Sequence, residues 1–132
     1  MRLLLIAVFG AIGTLARYGL QGFLQVKMGS TFPYGTLVIN LTGCFFLGLI
    51  GQITLNRMVV SPELRMAIAI GFFGGYTTFS SYGLQTLNLA RDGEWLGVAL
   101  NIVGSNVLGL LAVYLGWVGG RALQAKFHGG IL

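Results

Sequence analysis

The expected architecture follows from one stretch, Gly71-Phe72-Phe73-Gly74-Gly75-Tyr76-Thr77-Thr78-Phe79-Ser80-Ser81-Tyr82, inside an uncharged segment that runs from Met66 to Ala90. Two adjacent glycines disfavour a helix by about 1 kcal/mol each relative to alanine, and the β-branched Thr77 and Thr78 follow one residue later. The stretch therefore predicts an interrupted helix. At membrane depth, irregular backbone is tolerated only where protein buries it or where it lines a polar site, and its inward carbonyls are ligands for cations. We therefore expect a cation site at the interruption.

Aromatic and hydroxyl side chains follow the interruption. Phe79 and Tyr82 are three residues apart and share a helix face, with Ser80 and Ser81 beside them. The edge of an aromatic ring is positive and can face a small anion, while hydroxyl groups donate hydrogen bonds to it. The same spacing also fits two rings that only pack, so the pattern leaves both interpretations open.

The composition around this stretch is that of a membrane protein. The chain has 132 residues, of which 55% are hydrophobic and only 8% are charged, whereas soluble domains carry about 25% charged residues. Charges are absent from 28–56, 66–90 and 95–120. Each of these stretches exceeds the roughly 20 apolar residues that a helix needs to cross a bilayer.

The first apolar segment is interrupted by Arg17, so it fits either one helix with an interior arginine or a signal peptide. Apolar residues continue beyond Arg17 and favour the helix. We thus predict an all-α membrane protein with a single domain over 1–132, the third of its four transmembrane helices being broken at mid-membrane. The spans are expected near 3–25, 33–55, 65–90 and 95–120, with Ser61-Pro62-Glu63 as a helix start.

The distribution of basic residues gives only a weak orientation signal. With four spans, Arg2, Arg57, Arg65, Arg121 and Lys126 share a side, against Lys27 and Arg91 on the other. This bias allows cytoplasmic termini, and it also allows a chain that inserts both ways and pairs with its own inverted copy. The net charge of +5 comes from cations at helix ends, so it does not indicate nucleic-acid binding.

Acidic, histidine and cysteine side chains are too few and too dispersed for catalysis. The three carboxylates, Glu63, Asp92 and Glu94, all fall in predicted links, and the single cysteine, Cys44, lies within an apolar span. A hydrolase, a redox enzyme and a cluster-type metal site are therefore not expected. A small multidrug exporter would need an acidic residue inside a span. The uncharged polar groups within the spans instead fit a neutral or anionic cargo, or simple helix-to-helix contacts.

Four motifs resemble one family, the Fluc (CrcB) fluoride channels, over essentially the whole chain. They occur in the family's order, one in each predicted span: Gly13-Thr14-Leu15-Ala16-Arg17, Gly35-Thr36-Leu37-Val38-Ile39-Asn40-Leu41, Gly71 to Ser80 as quoted above, and Asn106-Val107-Leu108-Gly109. The third motif is the most specific of them.

The resemblance implies a dual-topology homodimer whose antiparallel subunits enclose two fluoride pores in the plasma membrane, the inner membrane of a bacterium. It implies a structural sodium ion at the dimer centre, held by the backbone carbonyls of Gly74 and Thr77. The family's pore aromatics fall on Phe79 and Tyr82, and its pore asparagine on Asn40. By the same resemblance Arg17 lies near the vestibule and Asn106 beside the pore, with Thr78, Ser80 and Ser81 as further hydroxyl contacts.

The expected activity is passive fluoride efflux that protects the cell, with no enzymatic step. Three residues depart from the family pattern: Tyr82 replaces a phenylalanine, Leu110 stands where several members have a serine, and Gln85 stands where many have a glutamate. These departures concern the ion path and leave the interruption unchanged. A non-transporting assembly subunit and a small multidrug-type exporter are the alternative functions.

Overall fold

The computed structural model describes residues 1–29, 31–54 and 60–128, with side chains up to Lys126. Two residues of the predicted second span and link, Leu55 and Arg57, lie outside the described residues. The side chain of His128 lies outside them as well. The described part is helical, with no β-strand in these ranges. Its elements are α1 (Arg2–Met28), α2 (Tyr34–Ile53), α3 (Pro62–Met66), the π-helix π1 (Ala67–Phe73), α4 (Gly74–Tyr76), α5 (Phe79–Arg91) and α6 (Trp95–His128).

Local sequence signals account for several helix ends. Ser61 caps α3 by accepting a hydrogen bond from the Leu64 N–H at 3.3 Å, and Pro62 is the first helical residue, which confirms the predicted helix start. Gly93 has φ = 76°, a backbone conformation that glycine adopts without strain. This glycine lets the chain reverse between α5 and α6 within a few residues.

The apolar surface faces outward in most of the molecule. Among the described residues, three helices are long and apolar enough to cross a membrane: Arg2–Met28, Tyr34–Ile53 and Trp95–Lys126. The buried core is small and centres on Ile39, Phe73 and Tyr76. Large apolar side chains are exposed along all three long helices, which in water would be unfavourable. The structure is therefore that of an all-α membrane protein.

Glycines let the helices approach at backbone contact. A Cβ atom on Gly13 would lie 2.1 Å from the carbonyl oxygen of Phe72, so α1 and π1 touch there without side chains between them. In the same way, a Cβ atom on Gly116 would lie 2.0 Å from the Phe45 carbonyl oxygen, where α6 meets α2. These contacts fix the relative positions of the helices around the interruption.

The segment between α3 and α5 does not form one regular helix. It passes through the π-helical turns of π1, stops at Tyr76, and resumes at Phe79. Thr77 (φ −84°, ψ 158°) and Thr78 (φ −149°, ψ 118°) are extended. The two threonines after the paired glycines are therefore the residues that leave the helical conformation.

The long helices differ from the predicted spans mainly at their ends. Helix α1 runs without a break through Arg17. Helix α6 continues from the predicted end at residue 120 to His128. The predicted end is set by the charged residues that follow residue 120. Such residues leave the hydrocarbon core of a membrane, but they do not interrupt the backbone hydrogen bonds of a helix.

We predict that Gly13→Ala destabilises the protein, because the added methyl group would overlap the Phe72 carbonyl and force α1 away from π1. Overpacking of this kind costs about 1–3 kcal/mol, which a lower thermal midpoint of the detergent-purified protein would reveal. Gly19→Ala is the matched control, since no atom lies within 4 Å of a Cβ atom placed there. Equal midpoints for the two variants would contradict the proposed backbone contact.

Candidate functional site

The side-chain amide of Asn40 on α2 holds the extended backbone of Thr78. Its Oδ1 accepts a hydrogen bond from the Thr78 N–H at 2.8 Å, and its Nδ2 donates to the Thr78 carbonyl at 3.1 Å. One side chain thus satisfies both backbone groups of a residue that has left the helix. Thr78 is buried, and a backbone group left unpaired away from water is costly.

Thr78 also starts the next helix. Its Oγ1 accepts a hydrogen bond from the Ser81 N–H at 3.2 Å, as an N-cap residue does, and donates to the Ser81 Oγ at 3.1 Å. The Ser80 hydroxyl lies 3.3 Å from the same oxygen. Three of the predicted hydroxyl residues therefore form one cluster at the beginning of α5.

These bonds divert donors from two backbone carbonyls of the interruption. In a continuous helix the Gly74 carbonyl would accept from the N–H of Thr78, and the Thr77 carbonyl from the N–H of Ser81. Both N–H groups instead donate to side chains, Asn40 and Thr78 respectively. The Gly74 and Thr77 carbonyls consequently lose their helical donors.

Arg17 contacts the carbonyl between them. Its Nε donates to the Gly75 carbonyl oxygen at 3.1 Å, and the side chain is half-buried between α1 and α4. The only ion pair among the described residues joins Arg2 to Glu63 at 3.5 Å, so no described carboxylate neutralises Arg17. The predicted vestibule arginine thus also anchors the interruption to α1.

A buried tyrosine supports the interruption from α2. The Tyr76 hydroxyl lies 2.9 Å from the Thr42 Oγ1, and the Tyr76 ring stacks on Phe72 with centroids 5.7 Å apart. Gly43 on α2 leaves space for the Thr77 methyl group, because a Cβ atom at Gly43 would lie 2.3 Å from it. The position of Thr77 and Thr78 is therefore set from both α1 and α2.

A cavity of about 250 Å³ lies between α2, the interruption, α5 and α6. The Phe79 and Tyr82 rings meet in its wall, with centroids 5.3 Å apart and planes at 45°. Five residues predicted to form the ion path line it together: Asn40, Thr78, Phe79, Tyr82 and Asn106. The wall is completed by Gly43, Cys44, Leu47, Thr77 and Ser105.

Three other residues predicted for the ion path lie outside the cavity wall. Ser80 and Ser81 reach it only through their bonds to Thr78, and Arg17 bonds to Gly75. The wall residues Cys44 and Leu47 were not predicted, although they follow Asn40 at helical spacing and could have been found from it. Cys44, which the sequence places within an apolar span, is half-buried in the cavity wall.

A second, more polar cavity of about 610 Å³ lies between α1 and α5 and has Gln21, Gln25, Gln85 and Asp92 in its wall. Gln21 donates to the Thr36 hydroxyl, and Gln25 donates to the Phe32 carbonyl and accepts from the Gly35 N–H at the start of α2. The Gln85 Oε1 is buried and has no hydrogen-bond partner among the described residues. This cavity contains none of the residues predicted for the ion path.

In the part of the chain that the structure describes, no three His, Cys, Asp or Glu side chains lie together as they would in a metal site. The oxygen atoms that the interruption could offer to a cation include the Gly74 and Thr77 backbone carbonyls, whose helical donors are diverted. Unwound carbonyls of this kind bind sodium in other membrane proteins.

The sequence profile of the family described as "CrcB-like protein, Camphor Resistance (CrcB)" matches residues 4–117. The chain belongs to the CrcB family. Relatives of this CrcB-family chain match nearly end to end and are named fluoride-specific ion channel FluC. The one from Opitutus terrae is 45% identical over 124 residues, covering 92% of this chain and 94% of the relative. The one from Geobacter sulfurreducens is 43% identical over 121 residues, covering 92% and 98%.

We predict that Asn40→Ala destabilises this CrcB-family protein, because the Thr78 N–H and carbonyl would both lose their partner in a water-poor site. A buried group left unpaired costs about 1–3 kcal/mol, so the thermal midpoint in detergent should fall clearly. Asn88→Ala removes the same group from an exposed position and serves as control. If the two variants unfold at the same temperature, Asn40 does not hold the interruption.

Proposed function

We propose that this protein is a fluoride-selective ion channel that lets fluoride leave the cell passively and so protects it. The observation that carries the proposal is its CrcB-family sequence, which aligns nearly end to end with relatives named fluoride-specific ion channel FluC. The cavity fits this role because it is small and its wall contains two aromatic rings and hydrogen-bond donors. The protein is a multi-pass membrane protein and a channel rather than an enzyme.

In the proposed membrane arrangement, one domain crosses the bilayer four times. Helices α1, α2 and α6 each cross alone, and residues 62–91 cross together as the third span. This span is broken at Thr77 and Thr78, which explains why no single regular helix accounts for it. Asn40 supplies the backbone pairing that lets the break lie at mid-membrane.

The proposed assembly is an antiparallel homodimer with two pores. Phe79 is 83% exposed in the single chain, Asn106 is exposed, and the space beside Gly74 is open. Polar groups facing lipid are unfavourable, so a second copy that covers this face would stabilise the protein. The weak bias of basic residues is compatible with insertion in both orientations.

The proposed sodium ion lies where two copies of the interruption meet. Each chain offers the Gly74 and Thr77 carbonyls, whose helical donors are diverted. Backbone carbonyls suit sodium because it is a hard cation that prefers oxygen. The ion would supply a fixed positive charge that holds the two interruptions together. One chain offers too few ligands alone, so this site depends on the dimer.

The proposed ion path runs through the 250 Å³ cavity, past the side chains of Asn40, Thr78, Phe79, Tyr82 and Asn106. A pore replaces the hydration shell of an ion with its own groups, and a narrow one holds the larger chloride less well. Ring edges attract fluoride weakly, so they bind it without trapping it. Ser80 and Ser81 stabilise Thr78, and Arg17 with the net charge of +5 raises the local anion concentration.

We predict that liposomes containing the purified protein release fluoride much faster than chloride. Phe79→Ile should slow fluoride release by about tenfold, because it replaces a polarised ring edge with an aliphatic group of no such polarity. An ion-selective electrode measures both anions. Phe46→Ile, on an exposed face of α2 outside the cavity, is the matched control.

Two results would contradict this function. Equal release of fluoride and chloride would remove the selectivity, and no release of either anion from a folded dimer would favour a non-transporting assembly subunit. Normal fluoride release by Phe79→Ile would remove the assigned path while leaving the channel function intact.

A further inference from the structure

Most hydrogen-bond donors in the cavity wall are already occupied within the protein. The Thr77 hydroxyl donates to the Phe73 carbonyl at 2.9 Å, and the Thr78 hydroxyl donates to Ser81 at 3.1 Å. The Ser105 hydroxyl is directed at the Asn101 Oδ1, 3.5 Å away. None of these protons is directed at an anion in the cavity, although the residues themselves line it or support it.

Asn106 has no free donor either. Its Nδ2 carries two protons and donates to the Ile102 carbonyl at 2.7 Å and to the Tyr82 hydroxyl oxygen at 3.4 Å. What remains is the Oδ1, which is an acceptor and repels anions. A direct contact from the Asn106 amide to fluoride would therefore require one of its two bonds to break.

Besides the weakly donating Cys44 thiol, two donors in the wall remain available. Asn40 uses one Nδ2 proton on the Thr78 carbonyl, so its second proton is free. The Tyr82 hydroxyl accepts from Asn106 and therefore keeps its own proton for another acceptor. Among the described residues the structure gives that proton no acceptor. Tyr82 lies in the cavity wall beside the Phe79 ring.

We propose that the Tyr82 hydroxyl is a direct hydrogen-bond donor to fluoride in this cavity, and that Asn106 is a positioning residue which orients that hydroxyl. The proposal rests on the function above, since it needs an anion in the cavity. Donation from Asn106 fills a lone pair of the hydroxyl oxygen and polarises its O–H bond toward the cavity. Asn40 and Tyr82 then supply the wall's two free N–H and O–H donors.

The proposed contact also favours fluoride over chloride. Hydrogen bonds from hydroxyl groups to an anionic acceptor are short and roughly twice as strong as those between neutral groups. A compact anion can approach the phenolic proton and the Phe79 ring edge together, whereas a larger anion must stay farther from both. Removing the hydroxyl should thus reduce selectivity as well as flux.

The test is Tyr82→Phe, which removes one oxygen atom and keeps the ring. That oxygen makes a single long bond of 3.4 Å, so the variant should fold, and its elution as a dimer checks this. We expect fluoride efflux from liposomes to fall about tenfold, as loss of a hydrogen bond to a charged group predicts, and the fluoride-to-chloride ratio to fall with it. Tyr114→Phe, which lies outside the cavity, is the matched control.

A double-mutant cycle separates the roles of Asn106 and Tyr82. Asn106→Ala should slow fluoride efflux in the wild-type background and change nothing further in the Tyr82→Phe background, because its effect passes through the hydroxyl. Additive losses would mean that Asn106 contacts the anion itself and would overturn its positioning role.

Other outcomes overturn the donor role of Tyr82. One is unchanged or faster fluoride efflux in Tyr82→Phe. The other is an equal loss of fluoride and chloride efflux, which would mean that the hydroxyl affects only the width of the path. The wild-type protein in the same experiment distinguishes the donor role of Tyr82 from the channel function. Only a lack of fluoride efflux in the wild-type protein would count against the channel function.

Discussion

The two hydrogen bonds between the Asn40 amide and the Thr78 backbone are the interaction on which the rest of the site depends. They satisfy an extended residue in an apolar surrounding, where an unpaired N–H or carbonyl would be costly. They also remove the donor that the Gly74 carbonyl would have in a helix, and they place Thr78 so that its hydroxyl caps α5. The position of Thr78 in the cavity wall, the N-cap of α5 and the diverted donor of the Gly74 carbonyl thus all follow from these two bonds.

The helices around this interaction need backbone contact to hold it in place. Gly13 brings α1 against the Phe72 carbonyl, and Gly43 leaves space for Thr77. Arg17 then reaches the Gly75 carbonyl from α1. Because the surrounding apolar surface gives little driving force between helices in lipid, close packing and interhelical hydrogen bonds carry the association. Small residues and side-chain amides are therefore concentrated where the elements cross.

Much of this arrangement is predictable from local sequence, and the remainder depends on distant partners. Paired glycines and two threonines place the irregular residues at Thr77 and Thr78, and Ser61 with Pro62 marks a helix start. Sequence alone does not reveal that both Asn106 protons are occupied, because one partner, Tyr82, lies on another helix. The π-helical turns of π1 and the wall position of Cys44 likewise depend on packing between elements.

The central proposal is that the interruption held by Asn40 presents the Gly74 and Thr77 carbonyls to a sodium ion shared by two copies. The most direct test is a sodium titration of the thermal midpoint of the purified dimer, with potassium at equal ionic strength for comparison. A ligand that binds only the folded state raises the midpoint as its concentration rises. The account predicts a saturable rise with sodium that potassium does not reproduce. The same midpoint in both salts at every concentration would contradict it.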